Sequence, residues 1–204
     1  MKQVYFAQIY KAICLSIVYV STAPLPVHAQ ASPRVERNGG GQLINQDYFS
    51  AKQYPEVQTS LSLVEGFHLN ERVMNDFRAA RYSIVIGDLK YALDKFPNHP
   101  KALMLLGATG ILAKSPALAA PFYEKALRLY PQYALTNAQY GKYLIDIGRG
   151  KDGIARLQRA LQIDPNSPQA RKWLAEVQAK SGSTHPGRQP AEQPQSMTEK
   201  EGAK

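Results

Sequence analysis

Small and apolar residues recur along this chain in a pattern that itself repeats. Ala92-Leu93 with Pro97, Ala126-Leu127 with Pro131, and Ala160-Leu161 with Pro165 stand thirty-four residues apart, a period that fits stacked helical hairpins in which each unit contributes two helices. Aligning the second and third copies sets Leu106-Gly107 on Tyr140-Gly141 and Ala119 on Gly153. Small residues at those places let two helices cross closely, while Leu103, Leu106, Tyr123 and Leu127 have the bulk to fill the groove to the next hairpin. Three copies in register, with the glycines agreeing, outweigh a chance coincidence of Ala-Leu pairs in an ordinary bundle.

Local signals place the helices. Asn98 before Pro100 predicts the start of a helix running to Ala113, Ser115 is the expected cap of the next, and Ser167 with Pro168 starts a last helix to Lys180 that carries Trp173, Leu174 and Val177. Pro121 conflicts with a helix beginning at Pro116, because an interior proline costs about 3 kcal/mol. A late start near Leu118, with Pro121 in the first turn, removes the conflict. Gly148 and Gly150 mark the turn inside the third copy.

These positions resemble the tetratricopeptide repeat family, whose pattern runs from a large apolar residue through Leu-Gly, a large residue, Ala, an aromatic and Ala to Pro. The middle copy matches with Leu103, Leu106, Gly107, Ala119, Tyr123, Ala126 and Pro131, and departs at Gly110, where the family prefers a bulky aromatic. The third copy offers Gly141, Leu144, Leu157, Ala160 and Pro165 but puts Asn137 where a large apolar group is expected. The first keeps Leu89, Ala92 and Pro97 behind a weak helix near Asn70 to Ala79. The resemblance implies an all-α fold: a short right-handed solenoid of tandem helix-turn-helix repeats at about 66–99, 100–133 and 134–167, closed by a capping helix at 168–180.

The remaining chain divides by composition. Lys2 and Lys11 precede a nearly apolar run from Ala12 to Val20, then Pro24, Pro26 and Val27-His28-Ala29, which reads as a secretory signal peptide over 1–29 cut after Ala29. The apolar run is about nine residues long, well short of the roughly twenty needed to span a bilayer. Cys14, the one cysteine, would leave with it. Residues 30–68 are polar and broken by Gly39-Gly40-Gly41 and are expected to be a flexible leader, although Leu61, Leu63 and Val64 could dock on the first hairpin. The repeat domain covers 69–180. The tail, 181–204, has no aromatic or branched aliphatic residue and is expected to be disordered.

No catalytic set emerges. His68, His99 and His185 are dispersed and suit solvated or capping roles, the glycine triplet lacks the Lys and Ser or Thr of a phosphate loop, and Ser83, Ser115 and Ser167 suit helix starts. Asp146 and Asp152 lie across a glycine turn from Arg149 and Lys151, where surface ion pairs are the usual outcome. The chain is therefore expected to be no enzyme and to need no cofactor or metal.

Charge narrows the partner. The formal net charge is +9, and from residue 70 to 180 there are 17 Lys and Arg against 9 Asp and Glu. The resemblance implies that the first helix of each hairpin lines a concave groove, which would bring Arg78, Lys101, Met104, Ala108, Ile111, Gln139, Lys142, Asp146 and Lys172 to it. Arg156, Arg159, Lys125 and Arg128 fall on second helices, facing outward. Chaperone-binding relatives clamp a terminal carboxylate with paired Lys and Asn at set positions; the asparagines are lacking here, Asn137 being shifted, so that specificity is not carried over. The expected function is a periplasmic or secreted adaptor that holds an acidic or amphipathic segment of another protein. An anionic polysaccharide is the alternative, and the lack of interleaved aromatic platforms disfavours nucleic acid.

Overall fold

The computed structural model describes residues 35–182. Strands β1 (Glu36–Arg37) and β2 (Leu43–Ile44) pair antiparallel with Glu36 opposite Ile44, and a single 3₁₀ turn at Ala51–Gln53 follows. The rest is helical: α1 (Pro55–His68), α2 (Glu71–Arg78), α3 (Tyr82–Lys95), α4 (Pro100–Leu112), α5 (Ala120–Leu129), α6 (Ala134–Asp146), α7 (Gly150–Ile163) and α8 (Pro168–Gly182). Pairs α2/α3, α4/α5 and α6/α7 are the three hairpins, and α8 packs on both α6 and α7. The architecture is the expected all-α array of tandem hairpins. The segment expected to be a signal peptide and the tail beyond Gly182 lie outside the described residues.

The thirty-four-residue period extends to the backbone itself. Ala80, Lys114 and Gly148, one in each hairpin turn, take positive φ of 57°, 59° and 86°. Each turn closes with the same two bonds: Ala80 N to Phe77 O, Lys114 N to Ile111 O and Gly148 N to Ile145 O, then Arg81 N to Asp76 O, Ser115 N to Gly110 O and Arg149 N to Leu144 O. This is the left-handed helix stop that satisfies otherwise orphaned carbonyls. Only the third copy uses glycine for it. The sequence signal was therefore visible at Gly148 and hidden at Ala80 and Lys114.

The small residues do not all play one part. A Cβ on Gly141 would lie 2.8 Å from Gly153 O and 2.9 Å from Leu157 Cγ, and one on Gly153 would lie 2.5 Å from Ile145 Cγ1, so α6 and α7 cross at these two glycines. Gly107 instead faces the next hairpin, with Tyr143 Cδ2 at 3.1 Å. Gly110 is explained by the turn that follows it, since a Cβ there would meet Ser115 O at 2.9 Å and Leu118 Cβ at 3.1 Å. The same turn delays α5: its N-cap is Ala119, Pro121 sits in the first turn, and Ser115 lies four residues too early to cap it. Likewise the side-chain cap of α4 is His99 rather than Asn98, through a bond from Ala102 N to His99 Nδ1.

Residues 35–68 are structured rather than a flexible leader. Gly39-Gly40-Gly41 forms the β1–β2 turn, closed by Asn38 N to Gln42 O and Gly41 N to Asn38 O, and Gly41 takes φ of 75°. Ala51, Val57, Leu61 and Val64 are buried in the main core, whereas Leu63 points out. The core they join runs through Leu89, Ala92, Leu93, Leu103, Leu106, Ala119, Tyr123 and Ala126 to Tyr143 and Leu144. A second, smaller cluster of Ala138, Leu157, Ala160, Ala170 and Trp173 fixes α8 on the third hairpin. Burial of the α1 stripe is what makes this segment part of the fold: Val57, Leu61 and Val64, on successive turns of an otherwise polar stretch, cover apolar surface that the first hairpin would expose.

Candidate functional site

Helices α4, α6 and α8, the first helices of successive units, pack side by side, and the residues expected to line a binding groove fall on them and on α2. Their side chains are more committed than the sequence implied. Lys101 donates through Nζ to the carbonyl of Leu69 at 2.6 Å, which satisfies the chain between α1 and α2. Lys142 and Asp146, one helical turn apart on α6, are joined at 2.5 and 2.7 Å. Arg78 donates to Glu71 at 2.6 Å and Asn75 at 2.7 Å along its own helix. Lys172 is exposed on α8. Each basic group thus holds a local contact or stands by itself, and no bond among the described residues gathers them into one clamp.

The apolar members divide in the same way. Met104 and Ile111 are half-buried on α4, with Met104 resting on the main core, so both offer partial apolar surface. Ala108 is buried. Gln139 is also buried, and its Oε1 has no hydrogen-bond partner among the described residues. An unmade bond at a buried amide costs about 1 to 3 kcal/mol, which makes Gln139 the polar group on this face most in need of a donor. Asn137, the departure from the family pattern, is buried too; its Nδ2 donates to Tyr133 O at 3.1 Å, so an amide fills the apolar position by bonding to its own helix start.

A second polar constellation was missed in the sequence. The segment after β2 runs across the turns between hairpins, where Asn45 N donates to Asp94 O at 3.1 Å and Gln46 N to Lys95 O at 2.7 Å. The Asp47 carboxylate accepts from Asn98 Nδ2 at 2.7 Å and from the Tyr133 hydroxyl at 2.5 Å, while Asn98 Oδ1 accepts from Tyr48 N at 2.9 Å. The Tyr130 hydroxyl donates to Asn45 O, and Phe49 packs on Tyr133 with ring centroids 4.3 Å apart. The one available signal was that Phe96-Pro97-Asn98-His99 and Tyr130-Pro131-Gln132-Tyr133 share a register and end in groups able to donate outward.

Titratable groups around these turns are displaced by burial. It holds the His99 imidazole below its usual value against a 3.2 Å bond to Glu65 that pulls the other way. That bond holds the Glu65 carboxyl low. Burial, then the bond to Asp47, pushes the Tyr133 hydroxyl up. The ammonium and imidazole groups do not converge on a reacting position, and among the described residues no three His, Cys, Asp or Glu side chains are grouped to hold a metal ion. No helix among them is long and apolar enough to cross a membrane.

Residues 72–134 match the tetratricopeptide repeat family. No curated protein matches the chain. Among solved structures it is similar to the first such domain of Spaghetti (RPAP3) bound to the HSP90 peptide SRMEEVD, at 16% identity and TM-score 0.44, covering 60% of this chain and 93% of that one. It is also similar to the first such domain of human RPAP3, at 18% identity and TM-score 0.44, covering 55% and 89%.

Proposed function

We propose that this chain, whose residues 72–134 match the tetratricopeptide repeat family, is an exported, non-enzymatic adaptor holding a segment of a partner protein against the face formed by α4, α6 and α8. The observation that carries this reading is the make-up of that face: half-buried Met104 and Ile111 lie on the same packed helices as the Lys142–Asp146 pair and the exposed Lys172. An amphipathic segment would cover Met104 and Ile111 with its apolar side and leave its charged side to Lys142 and Lys172. Export rests on the order of Lys2, Lys11, the apolar run from Ala12 to Val20, and Ala29.

The test is co-purification from envelope extract with the wild-type chain beside a Lys142→Glu, Lys172→Glu double variant of equal stability. Reversing both charges should remove or weaken specific partners. Identical partners at identical yield would place recognition elsewhere.

A further inference from the structure

On the far side of α6 from Lys142 and Asp146, a cleft of about 380 Å³ opens between α5 and α7. Two residues advance a helix by about 200°, so Tyr140 and Leu144, which line the cleft, face away from the Lys142–Asp146 pair. Glu124 reaches it from α5, and Arg156 and Arg159 reach it from α7. Tyr140 is nearly fully buried, stacks on Tyr123 with centroids 5.1 Å apart, and donates through its hydroxyl to Glu124 at 2.9 Å. The Arg156 guanidinium sits over the same ring at 5.3 Å. The base of the cleft is therefore fixed by packing and by one hydrogen bond, and it presents a guanidinium held in place by an aromatic face.

The charge of this region is not internally balanced. Helices α5 and α7 carry five basic side chains, Lys125, Arg128, Lys151, Arg156 and Arg159, against two acidic ones, Glu124 and Asp152. Asp152 is held by Arg149 at 2.7 Å, and Glu124 by Tyr140. Arg159 donates to the neutral Gln162 side chain, at 3.1 Å. Among the described residues, neither Arg156 nor Arg159 has a carboxylate within ion-pair distance. Two planar guanidinium forks, three residues apart on one helix and without acidic partners, match the bidentate geometry of a carboxylate.

We propose that this cleft is a second docking site, independent of the face formed by α4, α6 and α8, and that it takes a carboxylate-bearing segment of a partner protein. One Asp or Glu side chain enters between Arg156 and Arg159, and an apolar neighbour rests on the exposed Ala155. A polymer with an anion on every unit fits less well, because it brings like charge against Glu124 and Asp152 at the rims of the same cleft. A peptide can set its single charge between the arginines and leave the rims alone.

The test uses the full chain and fluorescence anisotropy with a labelled short peptide carrying one Glu flanked by Leu in an otherwise neutral sequence, beside its Gln counterpart. The Glu peptide should bind at least about tenfold more tightly than the Gln peptide, and an Arg156→Gln, Arg159→Gln variant should lose about tenfold in affinity. Adding the two arginine changes to a Lys142→Glu, Lys172→Glu variant should still lower affinity by about tenfold, which separates this site from the other face. Circular dichroism and thermal melts confirm that each variant is folded. Equal affinity of wild type and the arginine variant would overturn the proposal, as would tighter binding of polygalacturonate than of the Glu peptide at the same arginines.

Discussion

Asp47 and Tyr133, eighty-six residues apart in sequence, meet in a buried hydrogen bond of 2.5 Å. Asp47 precedes the repeats and Tyr133 stands between the second and third, so the bond ties the N-terminal segment to the array. Removing the hydroxyl with Tyr133→Phe should cost about 1.5 to 3 kcal/mol, the range for a hydrogen bond to a charged group. Asp47→Ala should cost at least as much, because it also strands Asn98 Nδ2 in the interior. Urea unfolding midpoints of the two variants and of the double variant measure this, and a double variant no worse than Asp47→Ala is the expected outcome.

Positive φ at Ala80 and Lys114 is strain that the third copy avoids with Gly148. Ala80→Gly and Lys114→Gly should each stabilise the chain by up to about 1 kcal/mol, relief of the left-handed penalty being offset by the greater freedom of glycine when unfolded. Gly148→Ala should destabilise by about 1 kcal/mol although its Cβ would meet nothing within 4 Å. Thermal midpoints moving in these opposite directions would tie the three turns to one conformation.

Overpacking should rank the repeat glycines. Gly153→Ala and Gly141→Ala press a methyl against backbone carbonyls at 2.6 and 2.8 Å and should cost about 1 to 3 kcal/mol. Gly107→Ala meets only the edge of the Tyr143 ring at 3.1 Å, a side chain able to shift, and should cost less. Equal losses at Gly107 and Gly141 would show that the two hairpins cross alike after all.

Acid should loosen the turn before α4. The folded His99 takes up a proton less readily than the unfolded 6.5, with nearby Lys101 adding to the effect of burial. The unfolded state therefore binds more protons, and the stability present above about pH 6.5 is lost as pH falls through the lower folded value. Glu65, also held low, acts in the same direction at more acidic pH. His99→Asn keeps an N-cap acceptor and removes the titration. Between about pH 7 and pH 5.5, above the usual carboxylate range, its urea midpoint should change less than that of wild type; parallel slopes would assign the effect to another group.

The hairpin array was legible in the sequence because its determinants are local: Ala92, Ala126 and Ala160 lie at one helical position and Pro97, Pro131 and Pro165 at one turn. The late start of α5 was legible too, since Pro121 tolerates only a first turn. Residues 35–68 were not. Val57, Leu61 and Val64 follow a helical spacing inside a polar stretch, and their burial depends on the surface that the first hairpin leaves open. The groove residues were legible as positions on helices but not as chemistry. Spacing placed Lys101 on a first helix; only the fold brings it to the carbonyl of Leu69. The cleft over Tyr140 depends on three helices at once, and no single stretch of sequence carries it.

The central claim, that a partner protein is held on the face of α4, α6 and α8, is tested most directly by a photocrosslinking side chain placed at Ile111, with a control at Lys90 on the exposed side of α3. In the native cell, with both variants folded and equally abundant, Ile111 should crosslink to a defined protein and Lys90 should not. Crosslinking of the same protein from Lys90 but not from Ile111 would contradict the account.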